Sequence, residues 1–180
     1  MCIGDSITAG TSTDPESRPY PTVLETLLGG RHAVENRSVP GAKTTSMVED
    51  VRSRARERSP DIVVILAGVN DINVWDERQG SLYGPGAVIE RLRGLGVVAS
   101  GAGARTIYAT FWPDSDFSEA KIDAVRKVNA WILKRAPYEV PNASSLDLMQ
   151  VMTGHPGDQA ALLLPEYHDG GWLHLNAAGH

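Results

Sequence analysis

The chain has 180 residues, 42% of them hydrophobic and 22% charged. That is enough for one domain over residues 1–180 that buries roughly 70% of the surface its unfolded form exposes, with no need of a disulfide or a structural metal. Its single cysteine, Cys2, excludes an intrachain disulfide, and 17 Lys and Arg against 22 Asp and Glu leave a net charge of −5, a poor balance for attracting phosphate backbones. Nucleic acid is therefore not an expected partner, and no membrane span is expected, because the longest apolar run, residues 62–69, falls far short of the ~20 residues a bilayer crossing needs. Gly4, Asp5 and Ser6 arrive before any apolar leader could form, which leaves the compartment open.

Apolar strand-like runs alternate with stretches of helical spacing, the order expected of a parallel sheet covered by helices. A stub of a first strand, Met1 to Ile3, carries Cys2 as a buried, inert thiol. Pro21 to Leu28 follows with a stripe of Val23, Leu24, Leu27 and Leu28 closed by Gly29 and Gly30, which predicts a helix. His32 to Val39 reads as a second strand, and Met47 to Arg58 as a helix stopped by Pro60. Arg52, Arg54, Arg56 and Arg58 fall on alternate positions of that helix, where Glu49, Asp50 and Glu57 can pair with them as a solvated face.

Asp61 to Ala67 contains an unbroken aliphatic run without polar alternation, as a strand in the middle of a parallel sheet should. Gly86 to Leu95 is expected to be helical, Arg105 to Thr110 a fourth strand, and Ser118 to Arg135 a long helix turning Ile122, Val125, Val128 and Ile132 inward. Asn142 to Leu148 supplies a fifth strand. Gly94 to Ala99 fits a loose dinucleotide-binding pattern, but it is read as following a helix and preceding a strand, the reverse of the order a phosphate cradle needs. Trp75, Trp112 and Trp172 stand near strand-end loops, where they suit an acyl or sugar pocket as well as core packing, while Trp131 suits helix packing.

Polar clusters stand where strands end, the place at which open parallel sheets gather their ligands. Gly4-Asp5-Ser6-Ile7-Thr8 follows the first strand; it suits a strand-ending turn, and it also suits a serine nucleophile whose own N–H faces an oxyanion. Pro40-Gly41 is either a plain turn or a stiffened entry with an unobstructed Gly41 N–H. Gly68-Val69-Asn70-Asp71, at the exit of the central strand, offers either a helix cap or a carboxamide donor from Asn70. His174, within Asp169-Gly170-Gly171-Trp172-Leu173-His174, is the candidate base for Ser6. His32, His155, His168 and His180 read as surface or strand residues, and no metal site is expected because no ligand spacing matches a known pattern.

In this order the four pieces resemble the SGNH superfamily, also called GDSL hydrolases, and the resemblance spans the chain. It implies a three-layer α/β/α, flavodoxin-like fold with a five-stranded parallel sheet, here clipped at the first strand and the last helix. By position, Ser6 matches the nucleophile and His174 the base, while Gly41 and Asn70 match the oxyanion-hole residues beside the Ser6 N–H. The implied activity is hydrolysis of small-molecule esters of short acyl or acetyl groups, or of thioesters, with no cofactor. A non-catalytic acyl- or glycan-binding module on the same fold, or an acyltransferase, are the alternatives.

Members of the family usually carry an acid three residues before the histidine, and that position here is Gly171, with Asp169 and Glu166 the nearest acids upstream. Either Asp169 folds back through Gly170-Gly171 to serve the imidazole, or a backbone carbonyl such as that of Gly171 accepts its N–H, or the site is impaired. An absent last helix would leave one sheet face partly exposed, an expectation that carries with it marginal stability or an oligomeric partner. Substrate choice is assigned to the loops around residues 72–86 and 111–118.

Overall fold

The computed structural model describes residues 1–78 and 82–180, with residues 55 and 56 described in backbone alone. Residues 79–81 of the first selectivity loop, and the side chain of Arg56, thus lie outside the described residues. Four strands form one parallel sheet in the order β1 (Cys2–Gly4), β2 (Ile62–Leu66), β3 (Arg105–Ala109), β4 (Ala143–Leu146). Chain order gives α1 (Ser6–Ala9), α2 (Tyr20–Leu27), α3 (Thr44–Arg58), α4 (Val69–Val74), α5 (Pro85–Gly101), α6 (Glu119–Lys134), α7 (Ala136–Glu139) and α8 (Leu148–Thr153).

Among the described residues the sheet has four strands, not the expected five, because residues 32–39 make a single parallel bridge, Asn36 beside Cys2. The ladder there is real but short: Cys2 N–H donates to Glu35, Arg37 N–H to Cys2 and Val39 N–H to Gly4, at 2.8, 2.8 and 3.1 Å. Two features hold it to that length. β1 is only three residues long. The Asn36 side chain also draws the backbone away, its Oδ1 accepting from both the N–H and the hydroxyl of Ser38, and such local bonds compete with a ladder. The segment nevertheless runs along the outer edge of β1, so the chain leaves β1 toward one side and returns as β2 on the other. That places the end of β1 at a topological switch point.

Successive strand residues face opposite sides, and the two sides differ. Ile3, Val63, Ile65, Thr106 and Tyr108 are all buried, and Tyr108 shows what covers them. Its hydroxyl donates to the Leu92 carbonyl of α5 at 2.8 Å and its ring meets Trp131 of α6 edge-on. On the opposite face Val64 and Ile107 are half-buried and Ile62 is 44% exposed. There Ile62, Val64 and Cys2 share a groove of about 600 Å³ with Leu24 and Leu28, on and just after α2. Cys2 itself is buried, as its place on β1 requires.

The helix expected over residues 86–95 continues to Gly101, so Gly94-Leu95-Gly96 lies inside α5 rather than between a helix and a strand. The reason is a stripe at Val88, Leu92, Leu95 and Ala99, all buried, whose spacing carries the helical period through the glycines. Gly96 is imposed by packing: a Cβ there would stand 1.9 Å from the Tyr108 hydroxyl. α6 starts where its cap directs, with Ser118 Oγ accepting from Lys121 N–H, and it buries Val125, Val128 and Ile132 along one side. α3 starts at Thr44, three residues before the expected Met47, and Arg52 and Arg54 pair there with Glu49, Asp50 and Glu57. Among the described residues no helix is long and apolar enough to cross a membrane.

Candidate active site

Gly4 ends β1 where only glycine fits, since a Cβ would lie 2.1 Å from Thr8 Oγ1 and 2.7 Å from the Leu66 carbonyl. The chain turns at once into α1. Asp5 caps it, Oδ1 accepting from Ile7 N–H at 3.0 Å, and Ser6 becomes its first residue, 8% exposed. A residue in that position has an N–H that the helix itself leaves without a partner. Burial pushes the Asp5 carboxyl up to about 7; the bonds it accepts oppose the rise, and the neighbouring Asp71 adds to it.

Gly41 stands in a turn whose chemistry is legible residue by residue. Ala42 N–H donates to the Val39 carbonyl at 2.9 Å, Pro40 presets the first corner, and Gly41 occupies the second at φ 75°. These are the marks of a type II turn, which demands positive φ at that corner. Among the described residues the Gly41 N–H has no intramolecular acceptor, and nothing lies within 4 Å of where its Cβ would be. Asn70 is the second residue of α4, and its Nδ2 donates to the Ala42 carbonyl at 3.2 Å. The carboxamide and the Gly41 turn are thus directly joined.

His174 arrives from the far end of the chain, its Nε2 2.9 Å from Ser6 Oγ across 168 residues of sequence. Several bonds hold it there. The fully buried Trp112 donates its indole N–H to the Leu173 carbonyl at 3.0 Å. His168 and Leu175 form an antiparallel bridge, Asp169 N–H donates to the His174 carbonyl at 3.1 Å, and Asp14 accepts from Ala177 N–H at 2.8 Å. Trp112 is therefore a buried support of this segment, whereas Trp172, 37% exposed at φ 58°, stacks on His168. Trp131 packs in the core.

Neither expected partner of the imidazole is bonded to it among the described residues. The Asp169 carboxylate accepts from Thr13 N–H and Gly171 N–H, each at 3.0 Å, and the Gly171 carbonyl makes no bond to the ring. Burial tends to raise the Asp169 carboxyl, but those N–H groups and the charge of His174 together bring it below its ordinary value. The Asp169–His174 interaction thus acts through space. Glu166 contributes only its backbone carbonyl, which accepts from Asn176 Nδ2.

His180, read from sequence as a surface or strand residue, is half-buried in the electrostatic range of His174. Burial first and the His174 charge second lower its pKa, while Asp169 works the other way. Sequence reasoning also missed the part played by Asp71. It is wholly buried, with Oδ2 accepting from Thr44 N–H at 2.9 Å and Oδ1 from the Thr44 hydroxyl at 2.8 Å. Arg91 Nη1 stands 3.3 Å from the same Oδ1. Only its place beside Asn70 could have drawn attention to it. Among the described residues no group of three or more His, Cys, Asp or Glu side chains converges to hold a metal ion.

The fold is shared with proteins of known structure. A protein named TesA superposes with a TM-score of 0.74 at 19% identity, over 99% of this chain and 89% of the other. The esterase EstA of Pseudoalteromonas sp., crystallised inhibited by monoethylphosphonate, gives 0.68 at 13% identity over 99% and 88%. A catalytic mutant of an acetylxylan esterase from Geobacillus stearothermophilus gives 0.66 at 19% identity over 99% and 87%. At such identities the likeness is one of fold. No curated protein sequence matches the chain. The model of the GDSL-like lipase/acylhydrolase family matches residues 2–180, and with this coverage the chain belongs to that family of hydrolases.

Proposed function

We propose that the protein is a serine esterase that hydrolyses carboxylic esters of short acyl or acetyl groups through an acyl-enzyme on Ser6. The observation that carries this reading is the 2.9 Å approach of Ser6 Oγ to His174 Nε2, with the Gly41 turn and the Asn70 carboxamide joined to each other at the same end of the sheet. With the imidazole proton on Nδ1, Nε2 accepts the Ser6 proton as Oγ attacks the ester carbonyl carbon. The charge that develops on the carbonyl oxygen is met by the N–H groups of Ser6 and Gly41 and by Asn70 Nδ2, donors already fixed before the reaction. His174 then gives its proton to the departing alkoxide, and the alcohol leaves. Water attacks the acyl-enzyme with the same base; the C–Oγ bond breaks, the acid departs and Ser6 regains its proton.

Asp169, whose carboxyl lies below its ordinary value, stabilises the positive charge that His174 gains in each half-reaction. The preference for a small acyl group draws support from the acetylxylan esterase among the structural neighbours. The test is intact-mass measurement after incubation with a serine-reactive phosphonate, alongside hydrolysis of short-chain esters, acetylated sugars and acyl thioesters. A single adduct that is absent in Ser6→Ala, together with ester turnover, is expected. No adduct and no turnover would refute the reading and favour an acyl- or glycan-binding module. An adduct with acyl transfer to an added alcohol outrunning hydrolysis would make the protein an acyltransferase.

A further inference from the structure

We infer that Asp71 is a positioning residue for the oxyanion donors, a buried carboxylate that locks the Gly41 turn and the Asn70 carboxamide into one rigid unit. The inference rests on the esterase reading of Ser6 and His174. Consecutive residues of α4 grip the same loop at two points: Asn70 Nδ2 holds the Ala42 carbonyl, and Asp71 holds both the N–H and the hydroxyl of Thr44. Gly41 needs such a grip. It is exposed, at positive φ, with no side chain to pack and nothing within 4 Å of its Cβ position, so its own contacts do not fix it.

Arg91 completes the unit from α5. Nη1 faces Asp71, Nη2 takes the Leu82 carbonyl, and its guanidinium lies 5.8 Å from the Tyr83 ring, which also faces Lys43. One carboxylate thereby ties the start of α3 to the start of α4 and, through Arg91 of α5, to the segment leading into that helix. Stability alone does not account for a charge in this place. A buried carboxylate paired with a cation, as Asp71 is with the partly exposed Arg91, is often replaceable by apolar side chains at no loss, because desolvation offsets the attraction. What a carboxylate adds over a hydrocarbon is direction: two oxygens aimed at donors fixed by the backbone.

The test is Asp71→Asn, a change of one atom in shape and of one charge. Either orientation of the new amide puts an NH₂ group against a donor, at Thr44 N–H or at Arg91 Nη1. We expect kcat to fall about 10- to 100-fold, less than the roughly 10²–10³ of removing an oxyanion donor outright, with KM for a short ester within about twofold of the parent. The dissociation constant of a short alkyl boronic acid, whose serine adduct is tetrahedral, should rise by the same factor as kcat falls. General loosening would instead raise KM and leave those two factors unrelated. Should Asp71→Asn not fold, Thr44→Val, which deletes only the hydroxyl bond, is expected to lose kcat several-fold at unchanged KM. A kcat within twofold of the parent, or a loss carried wholly by KM, would overturn the inference. If the parent protein itself takes no phosphonate adduct and hydrolyses nothing, it is the esterase reading that fails; a labelled, active parent beside an equally active Asp71→Asn refutes the role of Asp71 alone.

Discussion

Asn in place of Asp5 should make the protein more stable at pH 8 and change little at pH 4. Asp5 is 1% exposed, and its carboxyl titrates near 7 in the folded chain against 3.8 ordinarily. Between those values the folded protein keeps a proton that the unfolded chain has released, so stability falls as pH rises through the window and levels off above about 8. Roughly three units at ~1.36 kcal/mol each give on the order of 4 kcal/mol as the ceiling for the cost of the ionised group at alkaline pH. Asn never ionises, and its side-chain oxygen can still accept from Ile7 N–H, the bond that caps α1. Urea unfolding of both proteins at pH 4.5, 6, 7.5 and 8.5 measures the difference, since other titrating groups cancel between them. With a slope of about 2 kcal/mol per molar urea, the variant's midpoint should exceed the parent's by about 1–2 M at pH 8.5, the gap narrowing to about 0.5 M at pH 4.5. A pH-independent gap, or a variant weaker at high pH, would show that Asp5 ionises as freely as an exposed carboxylate.

Asp169→Ala should lower kcat about 10- to 100-fold while Glu166→Ala leaves it unchanged; a loss near 10⁴ would show instead that the carboxylate bonds directly to the imidazole during turnover. Trp112→Phe strips the half-buried Leu173 of its carbonyl's donor and should cost ~1–3 kcal/mol in thermal unfolding along with a few-fold loss of turnover. Gly96→Ala, whose new methyl would collide with the Tyr108 hydroxyl, should destabilise by about 1–3 kcal/mol with catalysis intact in the folded fraction, read by calorimetry beside an ester assay.

Legibility followed physical locality. β2 reads directly from the sequence because five aliphatic residues in a row suit only a strand with neighbours on both sides, and α6 because its stripe and Ser118 cap are local signals. The Gly41 turn is equally readable, since Pro and Gly at its corners dictate its backbone. Residues 32–39 mislead because their apolar pattern says nothing of how short β1 is or of the Asn36 side chain competing for its own backbone. The extension of α5 through Gly96 is hidden for the converse reason: the glycine answers Tyr108, a residue on another element. The same holds at the site. Ser6, Gly41, Asn70 and His174 each carry a motif, but the grip of Asp71 on Thr44 and the support of Leu173 by Trp112 exist only once the sheet has assembled.

The two halves of the site are consequently held by different forces. Ser6 sits at the mouth of β1, with Ile3 and Ile7 buried on either side, and Asn70 leaves β2 on a helix that buries Val69 and Ile72, so these two residues inherit the rigidity of the sheet, as the exposed Gly41 does not. His174 belongs to no helix or strand longer than a bridge; the Trp112 indole, the Asp169–Thr13 pair and the Asp14–Ala177 bond tether its segment, and two of those three ties end on the loop that follows α1. That loop, residues 11–19, connects α1 to α2, so its displacement moves His174 relative to Ser6 without disturbing the sheet. Segments held by few buried contacts open at lower free energy than the core. The Ser6–His174 pairing is therefore expected to open at lower free energy than the sheet, although Leu175 anchors its segment in the core, and its distance depends on the 11–19 loop and the 168–177 segment as well as on the strand that carries Ser6.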